Sequence, residues 1–110
     1  MSRLDLYVNY ELQASIKLQG SDVILGRAPS CAVQIPDTTV SRRHAVIYAE
    51  EADHAIENFG ANGTKVNGKR ISRQILKHGD AISIGGHNFV YDSGQIQDME
   101  TTAIFLPDDD

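Results

Sequence analysis

The chain has no tryptophan, one cysteine and three prolines in 110 residues. Nowhere does it carry an apolar run near the ~20 residues of a membrane-crossing helix. Each absence closes a class. With Cys31 alone, neither an internal disulfide nor a cysteine-based metal cluster can form. The opening residues, Met1-Ser2-Arg3-Leu4-Asp5-Leu6-Tyr7, alternate polar and apolar and include an early acid, unlike the continuous apolar stretch of a secretory signal. The expectation is a cytoplasmic protein without membrane contact, for which the glycosylation sequon at Asn62-Gly63-Thr64 is empty.

A basic excess is missing too. The net charge is −5, and residues 95–110 hold Asp98, Glu100, Asp108, Asp109 and Asp110 with no base, which leaves ten acids to balance ten lysines and arginines in residues 1–94. Nucleic-acid binding rests on a basic face that neutralises several phosphates, so a neutral body with an acidic end excludes nucleic acid as the expected partner. His54, His78 and His87 are scattered without ligand spacing, and no metal or other cofactor is expected.

Helical periodicity is also lacking. Leu4, Leu6, Val8 and Tyr10 alternate with polar neighbours as in a strand buried on one face. Short runs rich in β-branched residues follow at 16–18, 23–25, 33–35, 45–48, 55–57, 81–84 and 88–91, separated by turn clusters such as Gly20-Ser21-Asp22, Asn67-Gly68 and Gly85-Gly86. Many short strands at close spacing predict an all-β antiparallel sandwich over residues 1–94, with its recognition loops at one end. Residues 95–110 are expected to form an acidic, mobile tail.

Ser41-Arg42-Arg43-His44 poses a chemical choice. A hydrolase would need a base within reach of Ser41, an oxyanion hole and a strained elbow around the serine, and no such elbow is present. A phosphate grip needs less. Gly26-Arg27 ends the predicted strand 23–25 and projects a fork-shaped cation from it. Ser41 and Arg42 supply a hydroxyl and a second guanidinium from another loop. A third loop offers Asn62 and Thr64, and an asparagine amide both donates to and accepts from a peptide backbone. Arginine–phosphate bonds are of the strong, charge-assisted kind. Arg43, Lys65, Lys69 and Arg70 read as solvated loop charges that raise the local positive potential.

The order V-I-L-G-R, S-R-R-H, N-G-T-K-V-N-G and H-G-D-A-I-S-I-G closely resembles the forkhead-associated (FHA) domain, a phosphothreonine-binding β-sandwich, over residues 4–92. The resemblance implies that Arg27 and Ser41 hold the phosphate, that Arg42 assists, and that Asn62 bonds the peptide backbone beside the phosphothreonine. Gly26, His44, Gly63, Asn67 and Gly68 match loop-shaping positions, with His44 tying one loop to another. Gly60 and Ala61 depart from the pattern, which often has serine and a second hydroxyl residue there. Thr39 stands where some members carry an arginine that selects an acid three residues after the phosphothreonine, so an apolar residue is expected at that peptide position.

Glu100-Thr101-Thr102 is similar to a segment that small bacterial members carry at the other end of their chains. There a serine/threonine kinase phosphorylates a threonine and the domain binds its own tail. The resemblance thus implies a non-catalytic phosphothreonine-binding adaptor beside a serine/threonine kinase, switched through Thr101 or Thr102. The alternative is a phosphate-independent interaction module that uses a sheet face.

Overall fold

Residues 2–94, apart from positions 9, 19 and 52, are described by the computed structural model. The expected tail, with Thr101 and Thr102, lies outside them. Among the described residues there are eleven strands and no helix: β1 (Arg3–Val8), β2 (Glu11–Lys17), β3 (Val23–Gly26), β4 (Val33–Gln34), β5 (Ala45–Glu50), β6 (Asp53–Asn58), β7 (Thr64–Val66), β8 (Lys69–Ile71), β9 (Arg73–Ile75), β10 (Ala81–Ile84) and β11 (His87–Asp92). They form two sheets, ordered β2-β1-β11-β10-β7-β8 and β4-β3-β5-β6-β9. The predicted sandwich is observed, with one amendment: β3 and β4 pair in parallel, Leu25 opposite Val33.

Alternation sorts the core. Leu4, Leu25, Ile47, Ile56, Ile82 and Phe89 are fully buried between the sheets, each adding about 1.5–3 kcal/mol of apolar burial. The period breaks early in the chain. A register shift at Leu6 and Tyr7 bends the β1–β2 pair, and the predicted continuation through Tyr10 turns instead into a hairpin, with Tyr10 at φ 67. Val8 and Tyr10, expected on the buried side, are exposed. Asn67 (φ 52) and Gly68 (φ 84) form the two-residue turn between β7 and β8, the geometry for which Asn-Gly is favoured.

Two poles result. At one, Asn67 donates to Asp80, the Ser93 N–H donates to His78 and the chain reaches Gly94. At the other, the loops after β3, β4 and β6 meet the β10–β11 turn, where His87 lies 3.2 Å from Asp37. Asp37 also accepts from the backbone and hydroxyl of Thr39, and these bonds, with His87 behind them, hold its carboxyl below the usual range.

Beneath the sheets, Nδ1 of His54 lies 2.9 Å from the Tyr91 hydroxyl. Burial pushes His54 below its ordinary value of 6.5, with Asp53 opposing, and pushes the Tyr91 hydroxyl up. Folding therefore favours neutral His54. Its contribution to stability is complete above the unfolded value and is lost as pH falls through the lower folded one. The melting temperature is expected to decline as pH falls below the ordinary histidine value of 6.5, and His54→Gln should flatten that decline. An equal slope in the variant would assign the effect to other groups.

Candidate functional site

The site begins with two loops that approach too closely for a side chain. A Cβ on Gly26 would lie 2.2 Å from the carbonyl oxygen of Arg42. Gly26 is thus required for space, since its backbone is not in the left-handed region that only glycine adopts freely. The approach lets the Arg27 N–H donate to the Ser41 carbonyl at 3.0 Å and the Ala28 N–H to that of Arg42 at 3.1 Å. The same Arg42 carbonyl accepts from the buried thiol of Cys31.

Arg27 is fixed a second time by its side chain, whose Nε donates to the Val40 carbonyl at 3.0 Å. One of its five N–H donors is thereby used, and among the described residues no carboxylate pairs with the Nη groups. The Ser41 Oγ accepts from the Ala61 N–H at 3.2 Å, which leaves its hydroxyl hydrogen to donate elsewhere. Ala61 lacks a hydroxyl of its own but reaches the site through its backbone. Arg42 stands exposed beside them.

His44 answers the hydrolase question. It is fully buried; its Nδ1 accepts from the backbone N–H of Ser41 at 3.0 Å, so its Nε2 carries the hydrogen donated to the Gly63 carbonyl at 2.8 Å. Neither nitrogen addresses the Ser41 hydroxyl. The ring packs against Gly60, where a Cβ would come within 2.3 Å of it. The missing hydroxyl at position 60 is therefore matched by the imidazole's approach.

The third loop is braced by a residue that the sequence did not single out. Asn58 accepts from the Gly60 N–H and from the Thr64 hydroxyl (2.8 Å), and donates to the Gly60 carbonyl. Thr64, grouped above with the peptide-contacting residues, is fully buried with its hydroxyl spent on Asn58, and it belongs with the braces. Asn62 is exposed at the same pole and its Nδ2 donates to the Thr39 carbonyl at 2.8 Å, tying the third loop to the second. Arg27, Ser41, Arg42 and Asn62 are thus brought to one pole around His44 and Gly63. Asn67 and Gly68 are not among them: they turn the chain at the opposite end of β7, where Asn67 holds Asp80 and Ala81. Phe59, well exposed beside the third loop, is a further residue that the sequence did not flag.

A rigid guanidinium, a free hydroxyl hydrogen and an exposed amide, with no acid paired to the guanidinium among the described residues, suit an anion borne on a peptide. Comparison with known proteins gives the family. The FHA domain family model matches residues 23–85. The chain is 36% identical over 87 residues to the proliferation marker protein Ki-67 of Mus musculus, a match that covers 77% of this chain and 3% of that protein. It is 35% identical over 74 residues to the glycogen accumulation regulator GarA of Mycolicibacterium smegmatis, covering 66% of this chain and 47% of the regulator. It therefore spans less than half the length of either relative. A solved structure from a study of phosphothreonine-dependent FHA domain interactions superposes with a TM-score of 0.75 at 27% identity, covering 83% of this chain and 94% of that one. With more than half of its residues matched by the family model, and with the eleven-stranded sandwich and its loop pole in place, the chain belongs to the FHA domain family.

Proposed function

We propose that this chain is a non-catalytic reader of phosphothreonine that carries its bound partner into serine/threonine kinase signalling in the cytoplasm. The observation behind this reading is the pairing of Arg27 with Ser41: a backbone bond locks the two loops together, and the Arg27 Nη groups and the Ser41 hydroxyl hydrogen stay available for an outside anion. Arg42 adds charge, and the Asn62 amide can exchange the Thr39 carbonyl for a peptide one. Fluorescence anisotropy with an oriented phosphothreonine library and its unphosphorylated counterpart tests it. Only the phosphorylated set should bind, and equal binding of both would overturn the reading.

Thr101 or Thr102, phosphorylated by the kinase, is the internal ligand in this proposal. Phosphorylation brings about −1.5 to −2 charge and three strong acceptors. Gly94 stands at the pole opposite the site, and Thr101 follows only seven residues later, a reach of ~25 Å at full extension. The six residues of β11 already cover ~20 Å of that axis. Capture within one chain therefore demands near-full extension, whereas capture by a second copy does not. Protection of the phosphorylated tail from phosphatase should accordingly rise with protein concentration. Phosphorylated full-length protein that binds an outside phosphopeptide as well as residues 1–94 do would remove the switch.

One observation favours a second reading, a phosphate-independent partner on a sheet face. Tyr7, Tyr10, Asn88 and Val90 line a shallow apolar depression, and Val8 and Leu12 are exposed nearby. Leu12→Ser would remove such a partner and spare phosphopeptide binding, and Arg27→Ala would do the reverse.

A further inference from the structure

The basic residues of the described chain fall into two groups. Arg3 pairs with Asp5 and Asp92, and Arg73 with Glu50. Lys65 and Arg70 pair with nothing acidic among the described residues, although they sit directly opposite each other on neighbouring strands β7 and β8. Like charges in that arrangement repel and weaken the pairing of the two strands. An anion placed between or beside them would turn that repulsion into attraction.

Both cations are held next to the recognition pole. The Arg70 guanidinium lies against the backbone of Gly63, where an added Cβ would meet Nη2 at 2.7 Å and Cζ at 2.8 Å. Gly63 has φ 85 and accepts the His44 hydrogen bond at its carbonyl, so this resting place is rigid. Beside it a groove runs along the outer face of β7 and β10, from Asn62 and Gly63 past Lys65 to the Gly68 turn, with Ser83, Gly85 and Gly86 on its other side. It starts at the amide assigned above to the peptide backbone, and glycines leave its wall open to a close-lying chain.

We infer that this groove is a second subsite for the same phosphopeptide, in which Lys65 and Arg70 select an acidic side chain on the Asn62 side of the phosphothreonine. The inference rests on the phosphothreonine reading. It revises the apolar preference expected from Thr39, because the cations come from β7 and β8 and not from the loop that Thr39 occupies. Charge complementarity fixes the occupant: no hydrophobic side chain lines the groove, its one charged side chain is the Lys65 cation, and the Arg70 guanidinium, opposite Lys65 on β8 and packed on Gly63, adds a second charge of the same sign at its border.

The test walks a single aspartate through an otherwise alanine-flanked phosphothreonine peptide and measures binding to the full chain by anisotropy. Exposed ion pairs contribute modestly, so one position, on one side of the phosphothreonine, should tighten binding about three- to tenfold. That gain should vanish in Lys65→Gln/Arg70→Gln, survive in Lys65→Arg, and shrink on going to ~0.5 M salt. The all-alanine phosphopeptide should bind the wild type and the double variant alike, which also reports that the variant is folded. A preference that persists in the double variant, or no preferred position at all with the reference peptide still bound, overturns the subsite alone. Failure of the reference phosphopeptide to bind overturns the phosphothreonine reading and the subsite with it.

Discussion

Replacing Arg27 by alanine is expected to lower phosphothreonine-peptide affinity by at least ~100-fold, because two charge-assisted bonds to the phosphate, each worth about 1.5–3 kcal/mol, are lost together. The fold should tolerate the change. What the apo protein loses is one charge-assisted bond from Nε to the Val40 carbonyl, worth at most about 1.5–3 kcal/mol. The backbone bond from the Arg27 N–H to the Ser41 carbonyl remains, so both loops keep their approach. Arg27→Lys separates charge from geometry. Lysine keeps the positive charge but lacks the fork and the Nε donor, and it should restore only part of the affinity. Titration calorimetry of the three proteins with one phosphopeptide, beside their melting curves, checks both halves. Arg27→Ala that binds as tightly as the wild type would mean that the anion is held elsewhere at this pole. Loss of binding with a collapsed melting temperature would mean that Arg27 acts through the fold.

How much of this was legible beforehand depends on whether a feature is local in the chain. Strands that face the core announce themselves by alternation, so β3, β5, β6, β10 and β11 stand out in the sequence. Strands β8 and β9 do not: Lys69-Arg70-Ile71 and Arg73-Gln74-Ile75 are three residues long, largely polar, and lie at the sheet edges, where only one side needs a partner. The conformation of Asn67-Gly68 is written into the dipeptide itself, but its distance from Arg27 is not. Thr64 misled because a hydroxyl beside Asn62 looks available until the Asn58 brace, six residues away, is seen to consume it. The opposition of Lys65 and Arg70 had the same origin. In sequence they are loop charges five apart, and only the β7–β8 register shows them as an uncompensated pair.

The most damaging substitution expected for the architecture of the site is His44→Ala. The ring is fully buried and makes two bonds, accepting from Ser41 and donating to Gly63, so its removal strips a partner from two backbone groups and leaves a void between three loops. An unsatisfied buried group costs about 1–3 kcal/mol and the void adds to that. A loss of about 3–4 kcal/mol is therefore expected, together with phosphopeptide affinity, since Ser41 and Gly63 both drift from their positions. Chemical denaturation measures the first and anisotropy the second, and a variant as stable as the parent would remove His44 from the centre of the site. Gly60 supplies an internal check. Gly60→Ser places a Cβ within 2.3 Å of the imidazole and should destabilise the parent. In the His44→Ala background the obstacle is gone, and the same serine should cost much less and partly fill the void. The double-mutant cycle should thus show strong coupling, of the order of 0.5–3 kcal/mol, in the direction of mutual rescue. Additive effects would show instead that the ring and the glycine do not share their space.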